Sequence, residues 1–194
     1  MSPLRTIHTW APVLLAVLLP LGCRAVRSTP DDLPPSALTV PPEPIDAGHV
    51  AQRLVDAVIQ IESGGDPAKV GRHGERGLMQ IKAGTWRDMT AKLFGSPLPF
   101  DRAFEPELNR RVGTAYLAHL QAVLLARRSD WQTDERTLLL AAYNAGPGRV
   151  RSGRYSLARM PRSTRDYVAR ASALHDVYLD DIACAVRARL RAAL

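Results

Sequence analysis

Glu62 carries the group in this chain best suited to give up a proton on demand. It lies in the run Ile61-Glu62-Ser63-Gly64-Gly65-Asp66-Pro67. An apolar stripe at Val50, Leu54, Ala57, Val58 and Ile61 predicts a helix leading into it, and the two glycines predict its end. The carboxyl is then expected at a helix C-terminus, where backbone carbonyls carry partial negative charge. That field and apolar shielding both disfavour the ionised form, so a raised pKa is expected. A carboxyl still protonated near neutrality is the donor that cleavage of a glycosidic bond requires. The ordinary alternative is a solvated glutamate in a last helical turn, and Glu62 alone does not decide between them. Three further blocks bring amide, hydroxyl and aromatic groups of the kind that line sugar sites. They are Gly77-Leu78-Met79-Gln80-Ile81, Ala141-Ala142-Tyr143-Asn144-Ala145-Gly146 and Thr164-x-x-Tyr167-Val168.

Helices must position these blocks. The first is expected to start near Asp46, a suitable N-cap. A Gly-rich charged loop, Asp66 to Arg76, follows it, and Gly77 to Ile81 reads as a compact turn or short helix. Thr85 is a candidate cap for a helix carrying Trp86, Met89 and Leu93, which Gly95-Ser96-Pro97 breaks. Pro106 suits the first turn of a longer helix with Leu108, Val112, Ala115, Tyr116, His119, Leu120, Val123 and Leu124 on one side. Another helix is expected from about Asp134 to Ala145, ended by Gly146-Pro147-Gly148. Ser163 or Thr164 is expected to cap a last helix bearing Val168, Ala171, Leu174, Tyr178, Ile182 and Val186. Nothing alternates with a strand period and no internal repeat occurs, so an all-α fold is expected.

Composition narrows the partners. The chain has 194 residues, 46% of them hydrophobic, which suits one folded domain with additions. Its net charge of +7 comes mainly from arginine, lysine occurring only at Lys69, Lys82 and Lys92. Such a surface favours anionic partners: nucleic acid, anionic lipid or acidic wall polymers. The two cysteines, Cys23 and Cys184, form no Cys-x-x-Cys pattern, and the five histidines are scattered. Neither a zinc site nor a calcium loop is indicated, and no cofactor is expected.

Residues 1–22 read as a secretory signal, with Arg5 before an apolar run from Ala11 to Leu21 that is short for a membrane span. Gly22-Cys23 resembles the end of a bacterial lipobox, although Pro20 stands where leucine is usual, and Cys23 is the lipidation candidate. Arg24 follows; by resemblance to Gram-negative lipoproteins, the lack of Asp there favours outer-membrane sorting. Residues 23–45 read as a proline-rich linker, with Pro30, Pro34, Pro35, Pro41, Pro42 and Pro44 favouring extended chain. At ~3.1 Å per residue the arm reaches about 60 Å. Residues 46–194 are left for the folded domain, which is expected to be exported to the periplasm.

The four blocks, in this order over roughly Asp46 to Leu174, resemble the catalytic domain of lytic transglycosylases, which have the all-α fold of goose-type lysozymes. The resemblance implies that Glu62 is the single catalytic acid/base, followed by Ser63 as in that family. It implies that Met79 and Gln80 line the sugar groove, that Tyr143 and Asn144 flank the scissile bond, and that Tyr167 lies near the catalytic carboxyl. Gly77 is expected to permit close backbone approach. The chain departs from the family pattern at Gly71 (often Ser), Glu75 (often Ala), Ala83 (often Pro) and Ser163 (commonly Glu).

The implied reaction is cleavage of the β-1,4 bond between N-acetylmuramic acid and N-acetylglucosamine in peptidoglycan, giving a 1,6-anhydro product without metal or cofactor. One rival is a lysozyme-type hydrolase with Asp66 or Glu75 placing water. The other is a non-enzymatic wall- or nucleic-acid-binding module. Nucleic acid is the less expected partner, because the seven arginines from Arg149 to Arg170 have little aromatic interleaving, Tyr155 and Tyr167 only. That segment is expected instead to form a basic wall beside the groove. A membrane contact through Cys23 and a monomeric state complete the expectations.

Overall fold

The computed structural model describes residues 47–192. The expected signal 1–22, Cys23, the linker 23–45 and the Asp46 cap lie outside the described residues. The folded unit comprises α1 (Ala47–Ser63), α2 (Ala83–Phe94), α3 (Pro106–Leu125), α4 (Glu135–Ala145), α5 (Pro147–Ser152) and α6 (Arg162–Ala192). Short 3-10 turns at Phe100–Phe104, Arg128–Asp130 and Leu157–Arg159 join them. No strand occurs among the described residues; only the isolated bridges Val70–Arg76 and Arg76–Ile81 fold the loop after α1 back on itself.

α4 is the central helix, touching α3, α5 and α6. Leu138, Leu139, Leu140, Ala141 and Ala142 are buried in succession, so this helix is covered on every side through its middle turns. Its start follows from Asp134, whose carboxylate accepts the N–H of Thr137 at 2.9 Å and its hydroxyl at 2.7 Å. The alanines let α6 approach closely, and α6 buries Tyr167, Val168, Ala171 and His175. α1 lies along α6 and contributes Val55, Ala57, Val58 and Ile59 to the core. Full burial of side chains such as Leu120, Leu138 and Leu140 contributes about 2 kcal/mol each.

Three helix starts and stripes differ from the sequence reading. α2 begins at Ala83 after Lys82, with no side-chain cap, and Thr85 instead lies close to the Tyr116 phenol of α3 and acts on it. α6 begins at Arg162, after Pro161, whose carbonyl accepts the N–H groups of Thr164 and Arg165, both at 3.0 Å. Thr164 is therefore inside the helix, with its hydroxyl turned to α4. Val123 is 41% exposed, so the buried face of α3 is narrower than its apolar stripe. Pro106 does open α3, and α4 closes at Gly146 as expected.

Candidate active site

The end of α1 is built as the two glycines require. Gly64 and Gly65 adopt φ of 69° and 87°, the left-handed region that glycine enters without a Cβ penalty. The Ser63 hydroxyl donates to the Ile59 carbonyl at 3.2 Å and accepts the Gly65 N–H at 3.1 Å. Lys69 Nζ donates to the Glu62 carbonyl at 2.6 Å. The terminal carbonyls of α1 thus gain partners, and the Glu62 side chain is held at the mouth of the turn.

That side chain lines a cavity of about 530 Å³ together with Gln80, Tyr116, Tyr143, Asn144, Ala145 and Gly146. Burial pushes the Glu62 carboxyl up to about 7, against the lowering influence of Tyr167, Lys69 and Arg170 and with help from the negative charge of Glu75. A raised pKa is what the sequence led us to expect, with burial as the main cause. The Tyr167 hydroxyl is buried and has no partner of full hydrogen-bond geometry, yet Glu62 and Tyr167 act on each other as a close acid–phenol pair. Burial, then the charge of Glu62, hold the Tyr143 and Tyr167 phenols well above their usual range, so both stay protonated.

The remaining residues singled out in the sequence divide into two groups. Gln80, Tyr143 and Asn144 join Glu62 in the cavity. Gln80 sits at φ 45°, a sparsely populated conformation for a residue with a side chain. Its amide donates to the carbonyls of Lys69 at 3.1 Å and Gly77 at 2.9 Å, which holds it there. The Tyr143 ring lies at 54° to that of Tyr116, 5.6 Å between centroids, and its hydroxyl donates to the Met79 carbonyl at 2.7 Å. Asn144 Oδ1 accepts the Thr164 hydroxyl at 2.9 Å, so the amide nitrogen of Asn144 is the end left for a ligand.

Ser63 and Met79 do not line the cavity. Ser63 is buried as the cap just described, and Met79 is fully buried with its thioether in the notch of Gly113. A Cβ at Gly113 would stand 2.1 Å from Met79 Sδ, so α3 and this methionine are matched in shape. Met79 therefore supports the groove from beneath. Gly77 also differs from expectation: its close approach is to the protein itself. A Cβ there would meet the Ala103 carbonyl at 2.2 Å and Asn109 Nδ2 at 2.4 Å.

Asn109 is the supporting residue that the sequence did not single out. It is fully buried, accepts the Met79 N–H at 2.9 Å, and donates to the carbonyls of Arg76 at 3.0 Å and Ala103 at 2.7 Å. An asparagine inside an apolar helical stripe was its only signal. The basic wall is also placed differently. The basic side chains lining the cavity are Arg72, His73 and Lys82 from the loop after α1. From the Arg149–Arg170 segment, Arg170 acts on Glu62, Arg165 donates to the Met160 carbonyl at 2.9 Å, and none lines the cavity. Asp66 is exposed and turned to the Ala68 N–H at 2.8 Å, whereas Glu75 lines the cavity.

Residues 42–159 match the family model described as the transglycosylase SLT domain. The chain is 38% identical over 109 residues to an endo-type membrane-bound lytic murein transglycosylase A of Citrobacter koseri, covering 55% of this chain and 54% of that protein. It is 35% identical over 105 residues to the soluble lytic murein transglycosylase of Salmonella typhimurium, covering 53% of this chain and 15% of that one. The chain thus spans about half the length of the first relative and less of the second. Among solved structures, the 70 kDa soluble lytic transglycosylase of Escherichia coli superposes with a TM-score of 0.53 at 30% identity, over 70% of this chain and 24% of that one. An inactive glutamate-to-glutamine mutant of Slt from Pseudomonas aeruginosa gives 0.56 at 25% identity, over 72% and 25%. The all-α, lysozyme-like fold implied by the motifs is the fold observed.

Proposed function

The chain belongs to the transglycosylase SLT-domain family, and from that premise we propose that it is a lytic transglycosylase of peptidoglycan. The bond cut is the β-1,4 link between N-acetylmuramic acid and N-acetylglucosamine. The observation that carries this reading is Glu62, protonated up to about pH 7 in a cavity lined by the Tyr116 and Tyr143 rings and the amides of Gln80 and Asn144. Stacking faces with a few fixed polar groups suit a sugar chain.

Glu62 gives its proton to the departing glycosidic oxygen. The acetamido oxygen of the muramoyl residue closes onto the anomeric carbon as that bond breaks. Glu62, now ionised, takes the proton of the muramoyl 6-hydroxyl, whose oxygen displaces the acetamido oxygen at the anomeric carbon. The product is a 1,6-anhydro sugar; no water is consumed, and Glu62 ends protonated as it began. Tyr167 and Tyr143 lie within electrostatic reach of the acid, and burial supplies the low dielectric that keeps its proton until the leaving oxygen needs it. Neither metal nor cofactor enters this scheme. Export to the periplasm and outer-membrane attachment through a lipid on Cys23 complete the proposal, supported by the membrane-bound relative named above.

Mass spectrometry of the fragments released from purified sacculi tests the reaction. Anhydro-muramoyl ends are expected. Free reducing ends would favour the lysozyme-type hydrolase, and binding without any release would favour the non-enzymatic module.

A further inference from the structure

Glu75 shares the cavity with Glu62, and the reaction above assigns it nothing. Its place is nonetheless closely built. The side chain is only 15% exposed, and Oε2 accepts the His73 N–H at 3.0 Å. The carboxylate occupies the room that a side chain on Gly71 would take. A Cβ at Gly71 would stand 2.4 Å from Glu75 Oε2 and 2.7 Å from Gln80 Oε1. The backbone of Gly71 is not in the left-handed region, so it is this space, and not conformation, that calls for glycine. The turn around it is closed by the Gly71 N–H to the Glu75 carbonyl at 2.8 Å and the Gly74 N–H to the Gly71 carbonyl at 3.0 Å.

We infer that Glu75 is an electrostatic positioning residue of the reaction: a fixed anion, seated in the space left by Gly71, that favours the positive charge building on the sugar in this cavity. The inference rests on the transglycosylase reading. Burial works to raise the Glu75 pKa, but hydrogen bonds from its own N–H and that of His73, with the charges of Lys82 and His73, bring it below the usual value. Glu75 is therefore ionised at neutral pH, where Glu62 still largely keeps its proton up to about 7. Lys82 does not cancel the charge: its Nζ is 3.9 Å from Oε1 and its side chain is 66% exposed, where water screens the pair. Two carboxyls in one site with opposite protonation divide the work of acid and electrostatic stabiliser. The anion also acts on Glu62, opposing its ionisation alongside burial. The other groups acting on Glu62 are Tyr167 and Arg170 from α6 and Lys69 from the loop, and the Tyr143 phenol of α4 feels its charge in turn.

The test compares wild type, Glu75→Gln, Gly71→Ala and the double variant on purified sacculi, with melting curves to confirm folding. Glu75→Gln is expected to lower kcat about tenfold, the effect of removing one fixed charge in a medium of intermediate dielectric. The alkaline limb of its pH profile moves to lower pH, because Glu62 loses a neighbour that opposes its ionisation. Gly71→Ala leaves Glu75 in the chain but displaces its carboxylate, and is expected to reproduce part of both effects. The pH limb of the double variant then coincides with that of Glu75→Gln, since Gly71→Ala moves it only through the Glu75 charge, whereas its contact with Gln80 falls on KM. An unchanged kcat and pH limb in Glu75→Gln, or a further shift of the limb in the double variant, would overturn the inference. Free reducing ends from wild type would overturn the transglycosylase reading separately, because positive charge develops at the anomeric carbon with either nucleophile.

Discussion

The Tyr143 hydroxyl donates to the main-chain carbonyl of Met79 at 2.7 Å, joining residues 64 positions apart. One end of the tyrosine thus anchors the loop that carries Gln80, while its ring forms cavity wall. Tyr143→Phe keeps the ring and removes the anchor. The expected result is a loss of about 1 kcal/mol in stability and a rise in KM larger than the fall in kcat, because the loop is less well held. Denaturant unfolding and steady-state kinetics on soluble glycan strands check it; a variant equal to wild type in both would show that the hydrogen bond does not hold the groove.

Glu62→Gln should reduce turnover by roughly 10²–10⁴-fold, the range for loss of a general acid, with sacculus binding retained. It should also stabilise the fold at alkaline pH. An unfolded glutamate ionises near pH 4.5, whereas Glu62 in the fold holds its proton to about 7. Between those values the unfolded chain binds fewer protons, so rising pH favours unfolding, by about 3 kcal/mol once both limits are passed. Glutamine has no charged form and escapes that cost. Melting temperatures of the variant and wild type should therefore separate at pH 8 and converge below pH 4.5. Equal separation at both pH values would refute a raised Glu62 pKa.

Gly77→Ala should be among the most damaging single-methyl changes in the chain. Gly77 has φ of 76°, and the added carbon would meet the Ala103 carbonyl at 2.2 Å, a backbone atom that cannot swing aside. The Asn109 bonds to Arg76, Met79 and Ala103 would be disturbed together. A loss of about 3 kcal/mol or more is expected. Gly84→Ala, where a Cβ meets nothing within 4 Å, is the control and should be tolerated.

Cys23→Ser tests membrane attachment. If Cys23 carries the lipid, the wild-type protein fractionates with outer membranes and the variant is released to the soluble periplasm. Identical soluble fractions for both would remove Cys23 from the proposal.

The helices and the placing of Glu62 at the end of one were legible in the sequence because the signals for both are local. Apolar spacing around Leu54 to Ile61, the Gly64-Gly65 stop, Pro106 and the Asp134 cap each act within a turn or two of chain. The order of the motif blocks brought Glu62, Gln80, Tyr143, Asn144 and Tyr167 to attention in the same way. What those side chains do in space depended on contacts between distant residues. Burial of Met79 depends on the notch at Gly113, on another helix. The close packing of Gly77 depends on Asn109 and Ala103, and the turning of Thr164 from helix cap to partner of Asn144 depends on how α6 crosses α4. Glu75 stands four residues from Gly71 in sequence, yet only the folded loop makes its carboxylate fill the missing side chain and face the cavity of Glu62. Spacing along a chain determines which face of a helix is apolar; which groups meet across helices is decided when the faces pack.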